Sequence, residues 1–311
     1  MNTYIGYSTE KEIRRAATSG GVGSALIKHL FESGKIGTAI SFDYNRETLQ
    51  YVPKLIHKYE DYRPCGSIYH DVDIPGFVKA HINEIKGNFA CFAIPCQVRA
   101  IRHHISKAGK EAVIIGLVCS SQQTIDATLY LLKRLHIAHC NVSHIQYRGN
   151  GWPSGVQITC KDGKTHFVKN NGSLWTDIFH SKLFIYKKCY KCNNTLNKYC
   201  DIVLADPWTI DKIESGGDGR TLFASYTDIG NETILKAQEN GLINIESISN
   251  ETLTNSQIYT IKRKETYAKS ALIQKFLKPL YLSGWYKTLV SSTRLFKLHC
   301  RTKDFIERRI K

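Results

Sequence analysis

The sequence predicts an α/β protein with a central mixed sheet, flanking helices, a β-rich second half and a basic C-terminal helical tail. Three observations support this prediction. Up to residue 135, short apolar runs typical of buried strands alternate with amphipathic helical segments. From Ser143 the chain changes to short strands separated by Gly-containing turns. From Ile261 onwards, apolar residues at roughly helical spacing alternate with lysine and arginine.

Residues 1–15 contain no strong periodic pattern, and we expect an exposed entry segment there. Apolar residues from Val22 to Phe31 recur at helical spacing, and Gly34 ends that helix. The further predicted strands are 37–42, 51–56, 88–94, 111–118, 202–205 and 221–227, with a meander over 143–170. The further predicted helices are 75–86, 98–106, 125–135, 175–184 and 232–240.

The composition is that of a soluble globular protein, with 42% apolar and 23% charged residues among 311. No run approaches the ~18 apolar residues that cross a bilayer, and the N-terminus lacks the apolar core of a signal peptide. We therefore expect a cytoplasmic protein. Ten cysteines in a reducing compartment favour metal or redox use over disulfides. Cys91, Cys140, Cys160 and Cys300 are interpreted as small buried hydrophobic residues.

Cys189 and Cys192 form a C-x2-C pair, whose sulfurs a tight turn brings together. By itself this motif is weak, because zinc sites, redox motifs and chance all produce it. Cys96 and Cys119 each follow an apolar run, where a buried strand emerges into a loop, although either is equally well explained as an ordinary buried cysteine. We predict that these four thiols bind one iron-sulfur cluster.

Ser19-Gly20-Gly21 precedes the first predicted helix. Such a turn exposes backbone N–H groups at the positive end of the helix dipole, which suits a phosphate group. A plain serine or threonine cap followed by flexible glycines explains the residues equally simply and is the commoner arrangement. The local pattern leaves both interpretations open.

A series of short motifs extends the argument, and it resembles a known family. In order, the chain contains EIRRAATSGGVGSAL, CGSIY, IPCQVRAI, GLVCS, YRGNGWPSG, CYKCNN and DIVLADPW. Between about Tyr4 and Ile248 these motifs resemble the beta subunits of coenzyme F₄₂₀-reducing hydrogenases and dehydrogenases. Members of that family are iron-sulfur flavoproteins that bind FAD and pass electrons between a cluster and a hydride-carrying substrate. The resemblance therefore implies a 4Fe-4S cluster and FAD as cofactors.

The resemblance also implies roles for individual residues. It assigns the cluster to Cys96, Cys119, Cys189 and Cys192, and it shifts the preference at Ser19-Gly20-Gly21 towards a flavin phosphate contact. The further cofactor contacts that it implies are Ser67, Tyr69, Arg148 and Asp206, with Arg148 and Lys188 as candidates for neutralising charge on a reduced flavin. Three positions depart from the family pattern, because Ile68 replaces a lysine, Ser120 a histidine and Ala205 a glycine.

The function implied is a flavin-dependent iron-sulfur oxidoreductase acting on a small-molecule or glycan-linked substrate, with a role in surface-polysaccharide biosynthesis. Its electron donor would be a protein, a reduced deazaflavin or a nicotinamide. No residue is identified as catalytic. We expect residues 1–260 to form the iron-sulfur flavoprotein domain and residues 261–311 a basic amphipathic tail.

Three other interpretations remain. Cys189, Cys192 and Cys200 with one remote thiolate would make a structural zinc site. The positions that depart from the family pattern favour a descendant that has lost its cofactors and acts as a scaffold or interaction protein. The net charge of +16 raises nucleic-acid binding, but no such motif is present, and we expect no nucleic-acid partner.

The basic charge belongs mainly to the tail, where residues 261–311 contain fourteen lysines and arginines against three acidic residues. Its apolar residues suit either a helix lying on the inner face of the membrane or a helix packed on the core. Pro279 and Gly284 are expected to divide the tail into two helical pieces.

Overall fold

The computed structural model describes residues 1–210 and 217–310. Within these residues, strands form two sheets. The strands are β1 (Asn2–Ser8), β2 (Thr38–Asn45), β3 (Gln50–Ile56), β4 (Phe89–Ala93), β5 (Ala112–Leu117), β6 (Val142–Gln146), β7 (Gly155–Cys160), β8 (Thr165–Lys169), β9 (Ile202–Ala205), β10 (Thr221–Ser225) and β11 (Ile243–Ile248). The large sheet has the order β11-β1-β10-β9-β5-β4-β2-β3, and the small sheet has the order β6-β7-β8.

The helices lie on both faces of the large sheet and around the small one. They are α1 (Lys11–Ala16), α2 (Val22–Glu32), α3 (Ile74–Ala80), α4 (Val98–Lys107), α5 (Asp126–Arg134), α6 (Leu174–His180), α7 (Asp228–Glu239), α8 (Glu251–Ser256), α9 (Ile258–Lys269), α10 (Lys278–Leu282), α11 (Gly284–Leu289) and α12 (Thr293–Arg309). Short 3-10 turns include Lys187–Lys191, and Ile273–Leu277 forms a π-helical turn. The predicted mixed α/β class is confirmed.

The large sheet is mixed because its centre is parallel and its edges are antiparallel. Strands β2, β4, β5 and β9 run parallel to their neighbours in that series, whereas β10, β1, β11 and β3 pair antiparallel. The carboxyl ends of the parallel strands therefore meet at one edge of the sheet, where ligands bind in open α/β sheets.

Three apolar clusters hold these layers together. One lies between the large sheet and α2 and α7, and another lies between its opposite face and α3 and α4. The third joins the small sheet, α5 and α6 to the C-terminal helices. Each strand of the sheet centre thus has both faces buried, which explains its continuous apolar sequence.

The prediction of an exposed N-terminal segment is wrong. Strand β1 lies inside the large sheet, hydrogen-bonded to β10 on one side and β11 on the other, and Tyr4 and Ile5 are buried. Its partners lie more than two hundred residues away, so no local pattern reveals the pairing. The interpretation of Cys140 as a buried residue is also wrong, since it is exposed, and Cys300 is only partly buried.

The C-terminal helices pack on the rest of the chain through one face. Tyr267, Ile273, Tyr281 and Phe296 are buried in the third apolar cluster. Pro279 does not break the tail, because it lies in the first turn of α10, where a missing N–H is tolerated. A break occurs beside Gly284, at the extended residue Ser283.

The proposed domain boundary at residue 260 falls within α9, and it stays a prediction. Lys311, the last residue of the predicted tail, lies outside the described residues. No helix in the described ranges is both long and apolar enough to cross a membrane.

Candidate functional site

A cleft of about 760 Å³ opens at the carboxyl ends of β4, β5 and β9. Ile94, Val118 and Asp206, which follow these three strands, all contribute to its wall. The volume lies in the range of protein cavities that hold cofactors and other small molecules. The topology of the large sheet therefore places a cofactor-sized space where α/β proteins bind ligands.

Most of the residues predicted to contact a cofactor lie around this cleft. Those that line it are Ser19, Gly21, Ser67, Tyr69, Arg148 and Asp206. Gly20 does not line it directly, and its carbonyl oxygen accepts a hydrogen bond from the Ser8 N–H at 2.7 Å. Lys188 forms an ion pair with Asp71 at 2.8 Å.

The N-terminus of α2 opens into the cleft. Gly21 precedes the helix with φ 78°, a left-handed conformation that favours glycine, and in the described part of the chain no side chain caps this end. Gly21, Gly23 and Ser24 line the cleft at the first turn. The first N–H groups of a helix lack intrahelical acceptors, so this end is suited to an anion.

Arg148 and Asp206 form a buried ion pair in the wall. The guanidinium donates to both carboxylate oxygens of Asp206, at 2.8 and 2.9 Å, and the Trp152 indole N–H donates to the same carboxylate at 3.1 Å. Burial alone would raise the pKa of Asp206, but Arg148 outweighs burial and the pKa lies below its ordinary value. Arg148 also donates to the Thr18 carbonyl oxygen at 3.2 Å, so the pair connects the loops around the cleft.

Aromatic rings cover another part of the cleft. Tyr69 packs against Trp175 and Phe179 with ring centroids 5.6 and 5.1 Å apart. Trp208 packs against Trp152 in a tilted arrangement, with ring centroids 5.5 Å apart. Tyr69, Trp175, Phe179 and Trp208 all line the cavity. A surface of this kind binds planar ring systems through offset or edge contacts.

The four predicted cluster ligands come together beside this cleft. Cys96 follows β4 and Cys119 follows β5. Cys189 lies in the 3-10 turn Lys187–Lys191, and Cys192 follows that turn. Each of Cys96, Cys189 and Cys192 is close enough to raise the pKa of the Cys119 thiol electrostatically. Cys119 itself lines the cleft, so the four cysteines lie directly beside the cavity.

Burial raises the pKa of Cys119 to about 12, and Lys264 opposes this effect. The pKa values of Cys96 and Cys189 are also raised, mainly by burial, with Lys188 acting in the opposite direction. The Gln122 backbone N–H donates to the Cys189 sulfur at 3.5 Å. Cations and N–H donors around the thiols fit a negatively charged group bound by thiolates.

The zinc alternative stays a prediction, as does the four-cysteine cluster site. Among the described residues, no three His, Cys, Asp or Glu side chains converge closely enough to hold a single metal ion. Cys200 is buried, and its thiol donates to the carbonyl oxygens of Asn197 and Ile202, at 3.0 and 3.2 Å. Thiolates around a cubane lie farther apart than around one ion, because four iron atoms stand between them.

Sequence reasoning missed several polar residues of the site. Arg263, on α9, lines the cleft and donates to Ser120 Oγ and to His180 Nδ1, each at 3.1 Å. Lys264 donates to the Cys119 carbonyl oxygen at 3.0 Å. Both cations lie in the basic segment, where their charge looked like that of any solvated lysine or arginine. Only the packing of α9 reveals their position.

Comparisons with known proteins agree with this fold and identify the family. The model for the C-terminal part of the coenzyme F₄₂₀ hydrogenase/dehydrogenase beta-subunit family matches residues 87–251, and the N-terminal model of the same family matches residues 3–78. Comparison with curated proteins found no match. Among solved structures, a chain from the xenon-derivatised F₄₂₀-reducing nickel-iron hydrogenase complex of Methanosarcina barkeri is similar. It is 18% identical, with a TM-score of 0.65 over 85% of this chain and 90% of that chain.

The protein is therefore an α/β protein of an oxidoreductase type. The chain belongs to the coenzyme F₄₂₀ hydrogenase/dehydrogenase beta-subunit family, and the resemblance stated from the motifs is confirmed. The similar solved chain shares the fold.

Proposed function

We propose that this protein is an electron-transferring flavoprotein in which a 4Fe-4S cluster and FAD lie side by side. The single observation that carries the proposal is the position of Cys119, which is one of the four neighbouring cysteines and also lines the wall of the cleft. A flavin exchanges two electrons as hydride and a cluster exchanges them singly, so adjacent binding sites connect the two kinds of transfer.

The residues of this chain would have separate tasks. Cys96, Cys119, Cys189 and Cys192 hold the cluster, and Lys264 and Lys188 offset its negative charge. The N-terminus of α2 binds a phosphate of FAD, and the aromatic wall around Tyr69 contacts a planar ring. The Arg148–Asp206 ion pair holds the loops of the cleft in place.

The substrate and the electron donor are proposed on the resemblance alone. We infer a small-molecule or glycan-linked substrate, used in surface-polysaccharide biosynthesis. The donor would be a reduced deazaflavin, a nicotinamide or a partner protein, and the similar solved chain does come from a hydrogenase complex. A scaffold without cofactors is the alternative. The four neighbouring cysteines and the cleft beside them both argue against it.

Ser24→Asp tests the flavin site. Ser24 lies in the first turn of α2 and lines the cleft, so the new carboxylate should repel a phosphate bound there. We expect FAD affinity to fall by about tenfold or more, since ~1.4 kcal/mol of repulsion suffices for that change. Titration of apoprotein with FAD, followed by flavin fluorescence, measures the effect.

Ser24→Asn is the matched control, because it has nearly the same size and no charge. Equal FAD affinity in the two variants would contradict a phosphate at this helix end. Gly20 is a poorer position for the test. Its φ is 65°, and a Cβ there would lie 2.6 Å from the Thr221 nitrogen, so any side chain strains the turn regardless of charge.

We also propose that the outer face of the tail binds an anionic membrane surface. Large apolar side chains remain exposed there, namely Leu272, Phe276, Trp285, Leu289, Leu298 and Phe305. They lie among cations such as Lys275, Lys287 and Arg294. Aromatic and aliphatic groups interleaved with cations are typical of helices that bind the membrane interface.

The double change Phe276→Ser and Trp285→Ser tests this surface. Both side chains are about two-thirds exposed, at 66% and 65%, so folding should be unaffected. Flotation with anionic liposomes should fall by about tenfold or more, because two large apolar groups no longer enter the interface. Phe167→Ser, which removes an exposed ring from β8, is the control. Unchanged flotation of the double variant would argue against a lipid partner, and equal binding to neutral liposomes would argue against an anionic surface.

A further inference from the structure

Arg263 occupies an unusual position in the cleft. It extends from α9, outside the two segments that match the family, and its guanidinium reaches Ser120 and His180. All three residues line the cavity. The Arg263 Nε atom is buried and has no hydrogen-bond partner within the described residues. Part of the guanidinium's donor capacity is thus unused.

The positive charge of Arg263 is also uncompensated. Its hydrogen-bond acceptors are a hydroxyl and an imidazole nitrogen, and over residues 1–210 and 217–310 no carboxylate forms an ion pair with it. Arg148 differs, because Asp206 neutralises it. Arg263 is partly buried, and a cation partly withdrawn from water without a counter-charge is stabilised when an anion binds beside it.

The pKa values of two neighbouring basic groups are lowered by burial and by the positive charge of Arg263. Burial and Arg263 lower the pKa of His180 to about 2, which leaves its imidazole neutral and able to accept the Arg263 hydrogen bond. Lys182 is close enough to Arg263 that burial and this cation lower its pKa to about 7. Lys264, the next residue along α9, is the cation that most strongly lowers the pKa of Cys119. The two adjacent cations therefore face different groups.

We propose that Arg263, His180 and Ser120 form a subsite that binds an oxyanion of the substrate, either a carboxylate or a phosphate ester. Arg263 supplies a planar fork of donors that matches both groups, and the Ser120 hydroxyl supplies a further donor. This inference rests on the proposed function in placing the substrate in the same cleft as FAD. Arg263 is a binding residue here, and α9 contributes it from beyond the matched family segments.

The test measures binding of inorganic phosphate and of malonate to FAD-saturated protein by isothermal titration calorimetry. Chloride keeps the ionic strength constant, because screening alone changes weak anion binding. Wild-type protein should bind at least one of the two anions, and the preferred one distinguishes a phosphate ester from a carboxylate. Arg263→Gln should weaken that affinity by about tenfold or more, and Arg263→Lys by less, since charge remains without the fork.

Lys262→Gln is the matched control, because it removes the same charge from an exposed position on the same helix. It should retain wild-type anion affinity. Equal affinity in wild type and Arg263→Gln, or equal loss in the Lys262 and Arg263 variants, overturns the subsite. Loss of iron from Arg263→Gln also overturns it, because Arg263 would then serve the cluster.

The experiment separates this inference from the proposed function. If wild-type protein takes up no FAD, the titrations are repeated in the Ser24→Asp variant, whose α2 terminus repels anions. Arg263-dependent binding there supports the subsite while the flavin proposal fails. Normal iron and FAD content together with Arg263-independent anion binding overturns the subsite alone.

Discussion

Replacing Cys96 or Cys119 by serine, or Cys189 and Cys192 together, should each remove most of the iron from the anaerobically purified protein. The wild-type protein is expected to be brown and to contain about four iron and four sulfide per chain, as a cubane held by four thiolates requires. Each replacement removes at least one of the thiols that meet at the carboxyl edge of the sheet. Iron and acid-labile sulfide analysis, with the visible spectrum, measures the loss.

Two other cysteines serve as controls for this experiment. Cys140→Ser changes an exposed thiol in the 3-10 turn His139–Asn141, which is not one of the four candidate ligands, and should keep full iron content. Cys200→Ser should also keep the full iron content, because the Cys200 thiol is buried away from the cleft and hydrogen-bonded to carbonyl oxygens. Stoichiometric zinc without sulfide, or iron loss in the Cys200 variant, would refute the cubane and restore the zinc interpretation.

Breaking the Arg148–Asp206 pair should cause the largest loss of folding stability among the cleft variants. Arg148 is 4% exposed and Asp206 16% at the side chain, so removing either partner leaves a buried charge unpaired. We expect Arg148→Gln or Asp206→Asn each to lower the free energy of unfolding by about 3–5 kcal/mol. The double variant should lose less than the sum, because no lone charge remains. Urea unfolding measures all three.

The exposed pair of Arg15 and Asp218 is the control. It lies at 3.4 Å with side chains 61% and 38% exposed, and Arg15→Gln should cost at most about 1 kcal/mol. Additive losses in the double variant would show that Arg148 and Asp206 act independently.

The stability that Asp206 contributes depends on pH. Because the folded-state pKa of Asp206 is below its ordinary value of 3.8, this stability is fully present above pH 3.8. It is lost as the pH falls through the lower, folded-state pKa.

The sequence predicted the strands at the centre of the fold, and it placed the candidate iron ligands after them, for one physical reason. A parallel strand buried on both faces is a continuous apolar run, and its carboxyl end is where a residue such as Cys119 enters a loop. The predicted strands 88–94 and 111–118 correspond to β4 and β5, and 202–205 corresponds to β9. Cys96, Cys119 and Asp206 follow these strands, so local patterns placed them at one edge.

Other features carried no local signal. Strand β1 pairs with β10 and β11 from the far end of the chain, and its short mixed sequence did not indicate burial. The tail pattern suited both core packing and a membrane surface, and the structure shows that one face packs while the other stays exposed. Amphipathic periodicity indicates which residues share a face of a helix, but it does not identify what each face contacts.

By itself the sequence determined the α/β class, the family and which thiols are candidates for the cluster, because these depend on periodicity and on motifs of a few residues. The tertiary structure alone decided that Arg148 is neutralised by Asp206 while Arg263 faces the cleft without a carboxylate in the described residues. The sequence does not show the partner of either arginine. Their difference arises from contacts between segments 58 and 143 residues apart, and such contacts exist only once the chain has folded.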